Sequence, residues 1–224
     1  MNYLKELLLS LREVLLIMVV QYVLLIVCIL IFGVNKAIII GSVVLALFEI
    51  GYVIYMYKRD KKMISCKNSY IPFILLGISI SVIFNMITFK LGIKSSGSID
   101  NLVLISIFTS GIIGPIFEEV LFRYRLINKL ESFNSNKFII ILLSGIIFGI
   151  CHTNIVTIIY ATIVGVINAY FYLKYKNIII PIIIHMSGNI ISGFLIRYNT
   201  WILMLGIILL IISTLLISDK KSYE

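Results

Sequence analysis

The sequence LVLISIFTSGIIGPIFEEVLF occupies residues 102–122. It is long enough to cross a hydrocarbon core of about 30 Å as a helix, yet it carries two adjacent carboxylates, Glu118 and Glu119. Burying a carboxylate in hydrocarbon costs several kcal/mol, and ionisable residues at membrane depth commonly serve function. The stretch therefore predicts a transmembrane helix that carries chemistry.

Similar apolar stretches fill most of the remaining chain. Hydrophobic residues make up 61% of the sequence and charged residues 13%, against about a quarter charged in an average soluble protein. This pattern predicts an all-α, polytopic integral membrane protein with about eight transmembrane helices. The predicted spans are 14–32, 38–57, 70–89, 102–122, 138–155, 156–173, 178–196 and 201–217.

The net charge of +9 would suggest nucleic-acid binding in a soluble protein, but membrane topology explains it better. If the N-terminus is cytoplasmic, all 19 Lys and Arg residues fall in cytoplasmic segments except Lys36, Lys90, Lys94 and Arg197. We therefore expect both termini in the cytoplasm, a multi-pass protein of the cell membrane, the lipid bilayer as partner and no nucleic acid. The isoleucine- and asparagine-rich composition is typical of an A+T-rich bacterial genome.

The chain is expected to form one structural domain with three parts. Residues 1–100 hold transmembrane helices 1–3, residues 101–197 hold the catalytic core, and residues 198–224 hold a last helix and a short tail. The sequence does not indicate an oligomeric state.

The carboxylate pair is followed by a cation at helical spacing. Glu119 and Arg123 are four residues apart in the order that favours a helical ion pair. Glu118, on a different face, is then free to turn toward a catalytic centre. A membrane carboxylate beside a guanidinium can act as a base near neutral pH, whereas the alternative is an ion pair that only fixes two helices.

The two histidines of the chain, His152 and His185, lie in later apolar segments. His152 follows Phe148 by four residues, and Gly149 would allow a neighbouring helix to approach closely. His185 and Asn189 share one helix face, where two donors suit a developing oxyanion. Plain interhelical hydrogen bonding is the competing interpretation of each pair.

Two prolines precede these residues and predict helix breaks. Pro115 and Pro181 each remove one backbone hydrogen bond, which would leave the carbonyls of Gly111 and Asn177 without their helical donors. Such breaks are tolerated in membranes where they line a polar cavity.

Three motifs in this order resemble those of the CAAX-protease and bacteriocin-processing (CPBP or Abi) family, the intramembrane proteases related to the type II CAAX prenyl endopeptidase. They are Glu118-Glu119-Val120-Leu121-Phe122-Arg123, Phe148-Gly149-Ile150-Cys151-His152 and His185-Met186-Ser187-Gly188-Asn189. The resemblance covers about residues 102–196. One difference is Tyr124, where the family often has glycine.

The resemblance implies an intramembrane peptidase acting on a hydrophobic or lipidated peptide or protein, with a role in bacteriocin or peptide processing or in self-immunity. It implies that Glu118 activates water with help from His152, that Arg123 orients the acid, and that His185 and Asn189 stabilise the oxyanion. Together with Glu119 these form the candidate catalytic set.

The expected cofactor is either none or zinc. Glu118, His152 and His185 could supply three zinc ligands with one open position, but the same residues can run a metal-free hydrolysis, which we favour.

Straight spans raise a geometric difficulty. Glu118 would lie near the cytoplasmic face, whereas His152 would lie about 22 Å along its helix from Lys137. For the two to meet, the fourth helix must continue past Arg123, or the fifth must begin later, after a turn near residues 134–136.

Two other functions use some of the same residues. Glu49, inside the second span, suits a proton- or ion-coupled transporter. A membrane immunity protein could keep the family fold without catalysis, although retention of the key side chains argues against it.

Overall fold

The computed structural model describes residues 3–63, 69–93 and 103–219. Lys94, predicted to be extracellular, and the end of the predicted tail, 220–224, lie outside these residues. The described part is helical and contains no strand, which confirms the all-α prediction. Its α-helices are α1 Tyr3–Arg59, α2 Ile71–Lys90, α3 Val103–Phe108, α4 Gly114–Glu119, α5 Asn128–Glu131, α6 Lys137–Ile150, α7 Ile155–Tyr175, α8 Ile179–Ser192 and α9 Thr200–Asp219.

Two π-helical segments interrupt the stretch from α3 to α5. They are Thr109–Ile113, between α3 and α4, and Val120–Ile127, between α4 and α5. A short 3-10 turn, Lys61–Met63, follows α1.

Five helices are long and apolar enough to cross a membrane: Lys5–Arg59, Ile71–Lys90, Leu104–Glu131, Ile155–Tyr175 and Thr200–Asp219. The apolar helices α6 and α8 are shorter. The predicted polytopic architecture is thus confirmed at the level of five candidate spans. The predicted spans 14–32 and 38–57 both lie within α1, so eight spans and the orientation of the termini stay predictions.

Helix α1 folds back on itself at Gly33. That residue has φ 74° and ψ 161°, a conformation that is essentially restricted to glycine. Two hydrogen bonds join the segments before and after the bend. The Gln21 amide donates to the Glu49 carboxylate at 2.9 Å, and the Tyr52 hydroxyl donates to the Glu13 carboxylate at 3.0 Å. The earlier residue of the first limb, Glu13, pairs with the later residue of the second, Tyr52, so the two limbs of α1 are antiparallel.

The chain divides into two compact units, each formed by two stretches of sequence. The first consists of Met1–Ile64 and Ile116–Ile178, and the second of Ser65–Pro115 and Ile179–Glu224. The predicted division at residues 100 and 197 stays a prediction.

In the first unit, α6 and α7 approach closely through small residues. A Cβ atom on Gly149 would lie 1.9 Å from the Thr162 hydroxyl, and one on Gly145 would lie 2.8 Å from the Val166 nitrogen. On the facing helix, a Cβ on Gly165 would lie 2.9 Å from the Gly145 Cα. This confirms the close approach predicted at Gly149, and it is the mode of contact that small residues allow between membrane helices.

In the second unit, α2 packs against both α8 and α9. A Cβ on Gly77 would lie 2.1 Å from the carbonyl of Ile184, and one on Gly206 would lie 2.7 Å from the Val82 side chain. Backbone contact at Gly77 fixes the part of α8 that precedes His185.

Candidate active site

The helical stretch that carries the first motif extends beyond the predicted end of its span. It continues past Arg123 to Glu131 and is followed by a turn, with the Asn136 side chain accepting from the first backbone N–H groups of α6. Glu118 therefore lies about 20 Å along the helix from Glu131, and His152 lies about 22 Å along the chain from Lys137. Of the two predicted solutions to the geometric difficulty, the continuation past Arg123 is confirmed, whereas α6 begins at Lys137 and so does not start late. Glu118 and His152 now lie at similar distances from the connection between Glu131 and Lys137.

Glu119 and Arg123 form a completely buried ion pair. The Arg123 Nε lies 3.0 Å from the Glu119 Oε2, and both side chains are 0% exposed. The Arg123 Nη2 also donates to the Gly165 carbonyl at 3.3 Å, and the guanidinium lies 4.5 Å from the centre of the Phe148 ring. The predicted ion pair is confirmed, and it joins α4 to both α6 and α7.

Asn168 completes this cluster, and sequence analysis missed it. Its Nδ2 donates to the Glu119 Oε1 at 2.9 Å, and the side chain is fully buried. The available signal was a single amide in the middle of the apolar helix α7. With one oxygen facing Arg123 and the other accepting from Asn168, Glu119 is suited to fixing helices.

Glu118 has a different environment from its neighbour. Its side chain is only partly buried. It interacts electrostatically with Arg123, with Cys151 of the second motif and with Glu49 in the second limb of α1. A partly accessible carboxylate beside the second motif is the arrangement that water activation requires.

His152 was predicted inside the helical span 138–155, but it lies beyond the end of the helix. Helix α6 ends at Ile150, and His152 lies in the turn before Asn154, whose side chain caps α7. Its Nδ1 is 3.0 Å from the Phe148 carbonyl oxygen. Because a carbonyl only accepts, Nδ1 carries the hydrogen in the neutral ring, and Nε2 keeps its lone pair for a proton. The span ends early because the turn to α7 begins at Cys151.

The Phe148 side chain connects the first two motifs. Its ring centre is 5.1 Å from that of Phe122 and 5.1 Å from that of His152. Since the Arg123 guanidinium lies over the same ring, the structure brings the carboxylate motif and the first histidine motif together within the first unit.

The third motif belongs to the second unit. His185 on α8 is buried, with 6% of the residue's surface exposed. Asn189, one turn later, is partly exposed, and its Nδ2 donates to the Ser110 carbonyl at 2.9 Å. An amide nitrogen carries two hydrogens, so this bond uses one of them.

The bond from Asn189 corrects the expectation about Pro115. In the π segment, the N–H of Gly114 donates to the carbonyl of Thr109, five residues earlier. In the same register, Pro115 would pair with Ser110 and has no N–H to offer. In this register the carbonyl that loses its backbone donor to the proline is that of Ser110 in place of the predicted Gly111, and the Asn189 side chain supplies the missing hydrogen bond.

The break predicted at Pro181 is also wrong. Helix α8 begins at Ile179, which places Pro181 in its first turn. Backbone N–H groups in a first turn have no partner within the helix, so proline removes no hydrogen bond there.

Within the described ranges, no group of three or more His, Cys, Asp or Glu side chains is spaced to hold a metal ion. The zinc ligand set of Glu118, His152 and His185 stays a prediction. The catalytic roles of the three motifs likewise stay predictions at this point.

Comparison with known proteins gives one family and two relatives. Residues 100–191 match the family model described as type II CAAX prenyl endopeptidase Rce1-like. Over 87 residues the chain is 36% identical to "Putative membrane peptidase YdiL" of Bacillus subtilis (strain 168), covering 39% of this chain and 35% of that protein. Over 159 residues it is 29% identical to "Membrane-embedded CAAX protease MroQ" of Staphylococcus aureus (strain USA300), covering 63% and 61%.

The chain thus spans less than two thirds of the length of either relative. No solved structure gives a significant match. Both relatives are bacterial, and with the five apolar helices they identify a bacterial multi-pass membrane protein. The family match includes all three motifs, from Glu118 to Asn189. Over residues 100–191 the chain is therefore similar to the type II CAAX prenyl endopeptidases, and the family resemblance that its motifs indicated is confirmed.

Proposed function

We propose that the protein is an intramembrane endopeptidase that hydrolyses a peptide bond in a hydrophobic or lipidated membrane-associated substrate. One observation carries this proposal. Glu119 is occupied by Arg123 and Asn168, whereas its neighbour Glu118 remains partly accessible beside the second motif. The match to the endopeptidase family supports the same chemistry.

In the proposed reaction, Glu118 takes a proton from water as the water oxygen attacks the carbonyl carbon of the scissile bond. His152 assists by accepting a hydrogen bond from the attacking water at Nε2, the nitrogen that its bond to Phe148 leaves available. His185 and Asn189 donate hydrogen bonds to the oxyanion of the tetrahedral intermediate. The C–N bond then breaks, and the proton held by Glu118 passes to the leaving amine.

Glu119 and Arg123 act on this reaction through position. The ion pair and the bond from Asn168 fix the turn of helix that presents Glu118. Oriented groups need no reorganisation during the reaction, which is how a rigid site lowers its barrier.

The proposed topology has eight spans and cytoplasmic termini. The two limbs of α1 account for the first two spans, and the short helices α6 and α8 for the fifth and seventh. Each short helix has 14 residues and a length of about 21 Å, less than the hydrocarbon thickness of about 30 Å. A helix that stops short in this way leaves room for a polar site inside the membrane, where a substrate could enter laterally.

The test is cleavage of quenched hydrophobic and lipidated peptides by the purified full chain. We expect cleavage by the wild type and none by Glu118→Ala or His152→Ala, with all three proteins folded in membranes. Glu131→Ala is a matched control because this carboxylate lies at the far end of the same helical stretch, where it pairs with Lys176.

A zinc chelator separates the two chemistries. Unchanged cleavage in chelator supports the metal-free glutamate mechanism, and lost cleavage that zinc restores supports a metalloprotease. If the wild type cleaves nothing, or if both variants cleave normally, the proposal is wrong, and the immunity or transport functions gain support. Bacteriocin or peptide processing and self-immunity are the physiological roles that we propose for this activity.

A further inference from the structure

A basic pocket lies in the first unit, at the predicted cytoplasmic ends of the two limbs of α1. Its volume is about 420 Å³. Four cations line it. The two limbs of α1 supply Arg12 and Arg59, and the helical stretch after the first motif supplies Arg125 and Lys129. The one carboxylate in its lining is Glu13, so the pocket has a large excess of positive charge.

The pocket is held in shape by its carboxylate. Glu13 accepts from the Arg125 Nη2 at 2.6 Å and Nε at 3.0 Å, and from the Tyr52 hydroxyl at 3.0 Å. The Lys129 Nζ lies 3.5 Å from the same carboxylate. This network ties both limbs of α1 to the helix that follows Glu118, while Arg12 and Arg59 stay exposed at the rim.

The basic surface continues into two neighbouring cavities. One, of about 400 Å³, shares Arg59, Arg125 and Lys129 with the pocket and is also lined by the carboxylate of Asp60. The other, of about 510 Å³, shares Arg12 and Leu16 and is otherwise lined mainly by apolar side chains of the first limb, Leu8, Leu9, Leu15 and Val19. The positively charged pocket is therefore continuous with an apolar groove.

We propose that this combined surface binds an anionic phospholipid of the cytoplasmic leaflet. The headgroup phosphate would contact Arg12 and Arg59 in the basic pocket, and an acyl chain would follow the apolar groove. Basic pockets on the cytoplasmic side of membrane helices commonly bind such headgroups. A soluble phosphate would gain nothing from the groove, where Leu16 is 58% exposed. The inference rests on the proposed orientation and is independent of peptidase activity.

The test is native mass spectrometry of the full chain in detergent, titrated with phosphatidylglycerol and, separately, with phosphatidylcholine of the same acyl chains. We expect preferential retention of one phosphatidylglycerol. Each Lys or Arg near an anionic headgroup contributes about a fivefold gain in affinity, so Arg12→Gln/Arg59→Gln should bind roughly 30-fold more weakly.

Lys36→Gln is the matched control, because this exposed cation lies on α1 near the bend at the opposite end. It should retain the lipid as the wild type does. Equal retention of the two lipids, or unchanged binding by the double variant, would overturn the proposal. Competition by glycerol 3-phosphate at the same concentration as phosphatidylglycerol would overturn it too, because the pocket would then be a site for soluble phosphate. Peptide cleavage by the double variant is measured in parallel, so a failed lipid site is distinguished from a failed peptidase.

Discussion

The Asn168 amide donates a 2.9 Å hydrogen bond to the Glu119 carboxylate, and both side chains are completely buried. Helix α7 thereby fixes the position of the turn of α4 that carries Glu118. The same carboxylate lies 3.0 Å from the Arg123 guanidinium, which in turn contacts α6 through the Phe148 ring. Three helices thus meet at the ion pair of Glu119 and Arg123, beside the proposed base.

Replacing Asn168 with leucine should destabilise the protein and slow cleavage. The change keeps the volume but removes the Asn168 donor from one oxygen of a buried carboxylate, at a cost of about 1–3 kcal/mol. Chemical unfolding in detergent micelles measures the first effect and peptide cleavage the second. Tyr170→Phe, on an exposed position of the same helix, should change neither. An unaltered midpoint for the leucine variant would show that the bond contributes little.

A double-mutant cycle should reveal strong coupling between Glu119 and Arg123. Arg123→Gln leaves the buried Glu119 carboxylate without its positive partner, and breaking a buried ion pair in this way costs roughly 3–5 kcal/mol. Adding Glu119→Gln removes the orphan charge, so the double variant should be more stable than Arg123→Gln alone. Additive losses in unfolding free energy would contradict a direct pair.

Asn189 and Pro115 should be coupled through the carbonyl of Ser110. In the wild type, Asn189→Ala removes the donor of that carbonyl and should cost about 1 kcal/mol. In a Pro115→Ala background, the new backbone N–H can pair with Ser110, so the same change should cost much less. Unfolding midpoints are measured for the wild type, Asn189→Ala, Pro115→Ala and the double variant. If Asn189→Ala destabilises both backgrounds equally, Pro115 is not the reason that the Ser110 carbonyl needs the Asn189 side chain.

Gly33→Ala should destabilise the fold by about 1–3 kcal/mol, because its φ of 74° and ψ of 161° are strained for any residue with a Cβ. No atom lies within 4 Å of the added methyl group, so the loss would come from the backbone alone. Gly51→Ala is the control, since it lies in regular helix with equally open space and should be neutral or slightly stabilising. Similar unfolding curves for both variants would contradict a bend fixed by Gly33.

Hydropathy and helical spacing predicted the local part of this structure. The apolar runs predicted helices at every span, because a membrane requires each segment to satisfy its own backbone. The four-residue interval predicted the pair between Glu119 and Arg123. The mismatch in depth between Glu118 and His152 predicted that the fourth helix continues past Arg123 or that the fifth begins later, and the first alternative is the one observed.

Contacts between distant residues could not be predicted in this way. Asn168 is far from Glu119 in sequence, and the partners of Glu13 come from the second limb of α1 and from the helix after the first motif. The π segments also escaped prediction, because hydrophobic periodicity over five or eight residues does not separate π-helix from α-helix. The early end of α6 was missed for a related reason, since the turn at His152 carries no glycine or proline.

The π segment Val120–Ile127 stands between the proposed catalytic acid and the basic pocket. A π turn contains one residue more than the α turn it replaces. Deleting one residue here would restore α-helix and keep the orientation of the helix on either side, because the wide turn and the α turn each complete one revolution. Glu118, before the segment, and Lys129, after it, would keep their relative places, while Arg125, inside the segment, would shift. A deletion of a single codon would therefore alter the ion pair of Arg125 with Glu13 and leave the proposed catalytic carboxylate in position.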